Sequence, residues 1–202
     1  TPLVYSVAGN TLTAKAGAAG PNVFTLAITP ATGAYTFTLL LPLDHPAGNN
    51  ENDITLNLGT LLQATDKDGD TVTAAADKLV ITVDDDTPTA AGTAVTGTVD
   101  EDGLANGIAG GIGDVAGAAT TASGSIAGIF QSGADIPLAY GLSTDTSGLP
   151  ALSSGGTPLV YSVAGNTLTA KAGAAGPNVF TLAITPATGA YTFTLLLPLD
   201  HP

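Results

Sequence analysis

The sequence predicts an all-β protein made of antiparallel sandwiches. Apolar residues alternate with Thr and Ala at a period of two along most of the chain, which is the pattern of half-buried strands. These short runs are separated by Gly, Pro, Asn and Asp, the residues that form turns. No run of a dozen residues shows a helical stripe with capping residues at its ends. Many short strands at regular spacing are typical of an antiparallel sandwich.

The best-defined predicted element is a hairpin formed by residues 22–29 and 34–41. Every second residue from Phe24 and from Tyr35 is apolar, so each strand has one apolar face. The connection between the strands reads TPATG, in which Pro restricts φ and Gly permits a positive φ. The other predicted strands are residues 3–7, 11–15, 53–62, 71–75, 78–83, 94–99, 123–130 and 138–143. The Gly-rich residues 103–119 are predicted to form a long loop.

The chain contains an exact internal repeat. Residues 1–46 recur letter for letter as residues 157–202, which gives a repeat period of 156 residues. Such repetition is typical of tandem arrays, in which copies provide reach or multivalency. A unit of this length can bury its own core, and the chain has no cysteine to cross-link it. We expect the chain to be an excerpt of a longer array, since it begins and ends within a repeat.

A boundary between two repeat units is predicted near residue 87. Residues 83–88 read VDDDTP, an acidic run followed by proline, which is typical of a linker. Residues 1–86 are therefore interpreted as the C-terminal portion of one unit and residues 87–202 as the N-terminal portion of the next. Neither unit is complete in this arrangement, and unpaired strand edges invite pairing with other chains. We expect contacts with neighbouring repeats of the same chain, or a strand-exchanged dimer.

The charge of the chain limits its partners. Four lysines face seventeen Asp and Glu, for a net charge of −13, and arginine is absent. Such a chain is repelled by nucleic acid and by anionic membranes, and no apolar run is long enough for membrane insertion. Eleven of the seventeen acids lie between Asp53 and Asp102. Clustered carboxylates favour a hard cation such as Ca²⁺, although acidity that serves only solubility is the alternative.

The strongest candidate metal-binding segment is ATDKDGDT, residues 64–71. Its carboxylates alternate around a glycine and can converge on one cation, although an Asx-rich turn is the simpler alternative. The segment is not an EF-hand, because its glycine is fourth rather than sixth when counted from Asp66, and no glutamate follows at the twelfth position. The candidate calcium ligands are Asp66, Asp68, Asp70, Asp84, Asp85, Asp86, Asp100, Glu101 and Asp102.

The predicted directions of the strands bring three acidic clusters to one junction between units. The clusters are Asp66–Asp70, Asp84–Asp86 and Asp100–Asp102. Residues 71–75 leave the DKDGD loop, and a turn at 77–78 would return residues 79–83 to the same pole, followed by Asp84–Asp86. The DED cluster at 100–102 would lie at the corresponding pole of the next unit. A further acidic set is interpreted as a plain loop rather than an ion site: Asp44, Asn49, Asn50, Glu51 and Asp53.

No arrangement of residues in the sequence predicts catalysis. Asp44 and His45 are adjacent, but neighbours on a strand point to opposite faces and cannot form part of a catalytic triad. The sequence contains no nucleophile elbow, HExxH motif or phosphate-binding loop. We therefore expect a structural role for His45 and no enzymatic activity.

Several separated motifs of the chain resemble one family. They are GAYTFTL (33–39), LDHP (43–46), ATDKDGDT (64–71), LVITVDDDTP (79–88), VDEDGL (99–104) and DTSGLP (145–150). Together they resemble the tandem Ig-like extender repeats of giant RTX adhesins, which Gram-negative bacteria export by type I secretion. The resemblance implies antiparallel Ig-like β-sandwich repeats in tandem, at the extracellular cell surface. It also implies a spacer that projects distal ligand-binding domains for cell adhesion and is rigidified by Ca²⁺.

Two other functions remain open at the level of sequence. One is a ligand-binding β-sandwich module of a secreted protein that recognises carbohydrate or ice through a flat face. The other is a noncatalytic accessory repeat of a secreted enzyme. Exact repetition without an aromatic cluster counts against the ligand-binding module. The number of copies in the whole array would separate the functions, because a large number of copies makes sense only for reach.

Overall fold

The computed structural model describes residues 1–46, 52–90, 92–114, 117 and 119–201. The chain divides into two compact units, Thr1–Thr87 and Pro88–Pro202, and each is described here by itself. Both units consist of antiparallel strands and short 3₁₀ turns, so the predicted all-β fold is confirmed. Within the described residues, no helix has the length and apolar character needed to cross a membrane.

The first unit begins with an antiparallel meander of four strands in the order β1-β2-β3-β4. Alternation places Leu12, Ala14 and Leu26 on one buried face of this sheet. The turn between β3 and β4 is closed by a hydrogen bond from the Gly33 N–H to the Thr29 carbonyl (2.9 Å). Gly33 adopts a φ of +73°, which a residue without a side chain reaches at no steric cost. The strands are β1 (Leu3–Ala8), β2 (Thr11–Ala16), β3 (Asn22–Thr29) and β4 (Ala34–Leu39).

The rest of the first unit is one long hairpin, residues 52–86. Its strands are β5 (Ile54–Asn57), β6 (Gln63–Thr65), β7 (Thr71–Thr73) and β8 (Val80–Val83). β5 pairs with β8 and β6 with β7. Between these pairs, the Leu58 N–H donates to the Leu79 carbonyl (2.8 Å) and the Ala74 N–H to the Leu62 carbonyl (3.0 Å). The two arms are therefore paired along the length of the hairpin.

This pairing corrects the predicted turn at residues 77–78. Asp77 and Lys78 belong to a 3₁₀ turn, Ala76–Lys78, that lies within one arm of the hairpin opposite another, Gly59–Leu61. Residues 79–83 therefore continue away from the DKDGD loop instead of returning to it. The alternation of apolar residues predicts strands at residues 71–75 and 79–83, but this local pattern does not specify which strand each of them pairs with.

The hairpin covers the apolar face of the four-stranded sheet. Leu58, Leu79 and Val83 of the hairpin are buried in one cluster with sheet residues such as Leu12 and Phe24. Two antiparallel layers with a shared core give the unit a sandwich-like arrangement.

The second unit builds the same meander from the second copy of the repeated sequence. Strands β13–β16 have the register of β1–β4: Phe24 pairs with Leu39 in one copy, and Phe180 with Leu195 in the other. The described sheet also contains a strand at each edge, in the order β10-β16-β15-β14-β13-β12. The strands of this unit are β9 (Thr89–Ala90), β10 (Thr121–Ser125), β11 (Phe130–Gln131), β12 (Ser153–Ser154), β13 (Thr157–Ala164), β14 (Thr167–Ala172), β15 (Asn178–Ile184) and β16 (Ala190–Leu195).

Three predicted strands of the second unit differ from the structure. Residues 94–99 and 138–143 form no strand, although Val99 and Leu142 still pack against the buried core. Residues 123–130 form the end of β10, a 3₁₀ turn over Ala127–Ile129, and the start of β11. A strand requires a ladder of hydrogen bonds to a partner strand, and within the described residues neither 94–99 nor 138–143 belongs to a sheet. Residues 138–143 make one backbone bond outside a sheet, from the Tyr140 N–H to the Pro186 carbonyl (2.9 Å).

Candidate metal-binding sites

The DKDGD loop forms the tip of the long hairpin, between β6 and β7. Carboxylate oxygens of Asp66, Asp68 and Asp70 all lie within 4.8 Å of one another, and all three residues are exposed. The loop is held by its own backbone, because the Asp66 Oδ1 accepts from the N–H groups of Gly69 (3.1 Å) and Asp70 (2.9 Å). Gly69 has a φ of +102°, which disfavours any residue with a side chain. The tight turn thus brings the three carboxylates together.

Asp66 is the carboxylate whose charge this loop stabilises. Hydrogen bonding to the neighbouring Asp68 carboxyl, followed by the backbone N–H groups, lowers the pKa of Asp66 from its ordinary value of 3.8. The group is therefore anionic over a wide pH range.

A second acidic cluster lies in the second unit. Asp100, Asp102 and Asp114 each offer a carboxylate oxygen within 4.8 Å of the others, and Asp100 and Asp102 are half-buried. Asp100 accepts a hydrogen bond from the Asp102 N–H (2.9 Å) and caps the 3₁₀ turn Glu101–Gly103. Burial, followed by the negative charges of Asp100 and Asp114, raises the pKa of Asp102 from its ordinary value of 3.8. A bound cation would relieve this crowding of like charges.

Asp114 was missed by the sequence reasoning. It ends the segment GGIGD, residues 110–114, within the Gly-rich stretch that the sequence predicts to be a long loop. The one signal available was a carboxylate at the end of a Gly-rich stretch that follows the acidic residues 100–102. Gly-rich loops allow sharp reversals of the backbone, but their sequence does not specify where they lead.

Glu101, a predicted ligand, lies outside this cluster. Its Oε1 accepts a hydrogen bond from the Leu199 N–H (2.7 Å) and lies 3.3 Å from the His201 Nε2. Glu101 therefore connects the 3₁₀ turn to the segment that follows β16. Asp200, which lies between Leu199 and His201 in the sequence, accepts hydrogen bonds from the N–H groups of Gly155 (2.9 Å) and Gly156 (2.8 Å).

Asp84–Asp86 lie at the open end of the hairpin, opposite its DKDGD tip. The pairing of Ile54 with Val83 places Asp84 beside Asp53. A hydrogen bond with the Asp53 carboxyl, and the negative charge of Asp53, raise the pKa of Asp84 from its ordinary value of 3.8. The predicted meeting of this cluster with Asp66–Asp70 is therefore wrong, because the two clusters terminate opposite ends of the same hairpin.

Asp85 and His45 tie the start of the hairpin to the segment after β4. The Asp85 Oδ2 accepts from the Asn52 N–H (3.2 Å), and the His45 Nδ1 lies 2.7 Å from the Asn52 carbonyl oxygen. The His45 Nδ1 also lies 3.8 Å from the Asp85 Oδ1, and both side chains are almost buried. These contacts give His45 a structural position. Asn49, Asn50 and Glu51 lie outside the described residues.

Comparison with known protein families gives one match. Residues 2–78 and 81–202 match the family described as a domain of unknown function, DUF5801. The chain belongs to the DUF5801 family. Comparison with curated proteins and with solved structures gave no match. The segment 81–202 of this DUF5801 chain contains the whole second copy of the repeated sequence, and the segment 2–78 contains the first copy without Thr1.

The donor atoms of both clusters in this DUF5801 chain suit a hard divalent cation. Each cluster supplies carboxylate oxygens, with no nitrogen or sulfur donor among its members. Oxygens within 4.8 Å of one another can contact a single ion at about 2.3–2.6 Å, and carbonyl groups or water complete its six to eight ligands. Carboxylates serve Ca²⁺, Mg²⁺ and Mn²⁺ alike. Both clusters could therefore hold a metal ion, without selecting calcium among the hard cations.

Proposed function

We propose that this DUF5801 chain is a structural extender module of a bacterial cell-surface adhesin. In this function, tandem β units set the distance between the cell and distal ligand-binding domains. The observation that carries the proposal is the verbatim repeat of 46 residues, which folds twice into the same four-stranded meander. Copies of one folded unit add length in proportion to their number, whereas a catalytic site gains little from being copied. No catalytic activity is part of the proposal.

Calcium is the proposed stiffening agent of the array. The chain carries a net charge of −13, so self-repulsion opposes compaction wherever divalent cations are scarce. Extracellular modules bind calcium with dissociation constants of about 10⁻⁴–10⁻³ M. Binding to folded carboxylate clusters then stabilises each unit by mass action. The location outside a Gram-negative cell, after type I secretion, rests on the resemblance to RTX adhesin repeats.

The calcium part of the proposal is tested by thermal unfolding with and without about 1 mM calcium. The key variant carries Asp66→Asn, Asp68→Asn and Asp70→Asn. The expected result is a calcium-dependent rise in the midpoint of the first unit, which this variant loses. Magnesium at the same concentration tests whether the response is specific to calcium.

A variant of equal charge separates a metal site from a general effect of acidity. It carries Asp44→Asn, Asp77→Asn and Asp135→Asn, three exposed positions outside both clusters. It should keep the full calcium response, since the cluster at the hairpin tip is intact. An equal loss in both variants would mean that calcium only screens charge. Saturable binding of the chain to ice or to glycans would contradict the spacer and favour a ligand-binding module.

A further inference from the structure

The two copies of the repeated sheet pack against different segments of the chain. In the first unit, the face that contains Leu12, Ala14 and Phe24 is covered by hairpin 52–86. In the second unit, the matching residues are covered by chain from residues 88–156, including Leu104 and Leu142. One amino-acid sequence thus presents the same apolar face to two different segments.

The cover in the second unit leaves an apolar cleft. The cleft has a volume of about 400 Å³. Its floor is the repeated sheet, at Leu182, Tyr191 and Phe193, and its walls include Val95 and Ile126 from the preceding residues. Val95 is 41% exposed. Apolar clefts of this size fall within the range of binding sites in proteins.

The first unit shows what occupies the corresponding part of the sheet. Leu26, the counterpart of Leu182, is only 2% exposed beneath the hairpin. Leu61 and Ala64 of the hairpin lie over the same end of the sheet, where with Leu26 they line a shared depression. Leu182 remains half-buried where the hairpin is absent.

We propose that the cleft of the second unit binds another copy of hairpin 52–86. The sheet that receives it has the sequence of the sheet on which this hairpin is seated in the first unit. Because Leu168, Ala170 and Phe180 are already buried in the second unit, docking is confined to the end of the sheet at Leu182. In the first copy, the hairpin follows the sheet directly along the chain. The inference rests on this identity and is independent of any role as a spacer.

Both surfaces retain apolar side chains that such docking would cover. In the first unit Leu61, at the end of the hairpin that lies over Leu26, is still 45% exposed. In the second unit, residues 94–99 have the alternating pattern of a strand but lack a strand partner among the described residues. A docked hairpin supplies both an apolar surface for Val95 and backbone groups near this unpaired segment.

The experiment extends the full chain by attaching a second copy of the sequence 47–86 after Pro202. Hydrogen exchange is measured on peptides from residues 92–99 and 120–131, which occur once in the chain. The expected result is exchange slower by at least about tenfold at residues 92–99 than in the original chain. A matched extension carries Leu58→Asp and Leu79→Asp in the added copy alone, and should give no protection.

Two exposed valines of the second unit provide the matched test of the site. Val95→Asp places a charge in the cleft and should abolish the protection, whereas Val160→Asp, at a residue 45% exposed outside the cleft, should leave it intact. Light scattering shows whether the added hairpin docks within one molecule or between two, whereas the loss of protection in Val95→Asp is the result that places it in the cleft. Unchanged exchange in the extended chain, or protection that survives Val95→Asp, would overturn the proposal.

Discussion

The repeated sequence provides its own control for a core substitution. Leu195 and Leu39 occupy the same position in identical 46-residue segments, yet Leu195 is 3% exposed and Leu39 is 44% exposed. Leu195 belongs to the buried cluster of the second unit, against which residues such as Val99 and Leu104 pack, whereas Leu39 belongs to no buried cluster of the described chain. In addition, β16 pairs with β10, and no strand among the described residues pairs with the outer edge of β4. The substitutions Leu195→Ala and Leu39→Ala should therefore have unequal effects on the free energy of unfolding.

The size of the difference follows from burial. Leu195→Ala removes a buried side chain and leaves a cavity, a change that costs about 2–5 kcal/mol in protein cores, so we expect about 3 kcal/mol. Leu39 has just over half of its surface out of water and leaves no closed cavity, so we expect about 1 kcal/mol. A difference of about 2 kcal/mol corresponds to about thirtyfold in the opening equilibrium.

Native-state hydrogen exchange measures this difference unit by unit. Peptides from the repeated sequence are ambiguous, but those from the hairpin (residues 52–86) report only on the first unit. Peptides from residues 120–131 report only on the second. Equal losses of protection in the two units would refute the reasoning, because they would show that both copies of this leucine have the same cover.

Three further predictions use single positions. His45→Ala removes a nearly buried ring hydrogen-bonded to a backbone carbonyl and should lower the unfolding free energy of the first unit by about 1–2 kcal/mol. His201 is the exposed counterpart of His45, and His201→Ala should change the unfolding free energy of the second unit by no more than about 0.5 kcal/mol. A larger loss of stability in His201→Ala than in His45→Ala, measured by thermal unfolding, would contradict the structural role of His45. A serine hydroxyl and two glycine N–H groups lower the pKa of Asp200, so stability of the second unit should fall as pH decreases below 3.8. Acid titration should show a smaller fall in the stability of this unit in Asp200→Asn, and an equal fall in the variant and the original chain would contradict the assignment. Asp102 has a raised pKa, so the metal-free second unit should instead lose stability as pH rises from 3.8 through that pKa, and a profile unchanged by Asp102→Asn refutes this.

Local patterns predicted the repeated sheet well. Strands β2, β3 and β4 and the turn at Gly33 follow from alternation and turn chemistry, which depend on neighbouring residues alone. The long hairpin was not predicted, because residues 54–57 pair with 80–83 across more than twenty intervening residues. Residues 94–99 have the composition of a strand but no partner among the described residues, so their pattern alone does not make them one.

The candidate metal sites also differ in how far local sequence patterns predict them. Asp66, Asp68 and Asp70 are close in sequence, and a single glycine turn brings their carboxylates together. In contrast, Asp114 reaches Asp100 and Asp102 through a Gly-rich loop whose course no short-range pattern specifies. The opposite location of Asp84–Asp86 follows from strand pairing, which is a non-local property.

The most direct test of the extender function is solution X-ray scattering on arrays of one, two and four 156-residue units. The maximum dimension is measured in about 1 mM calcium and again after chelation. The spacer account predicts that the dimension in calcium increases in proportion to the number of units, and that chelation reduces this proportionality as the array becomes more flexible. Compact arrays that fail to lengthen with added units, with or without calcium, would contradict it.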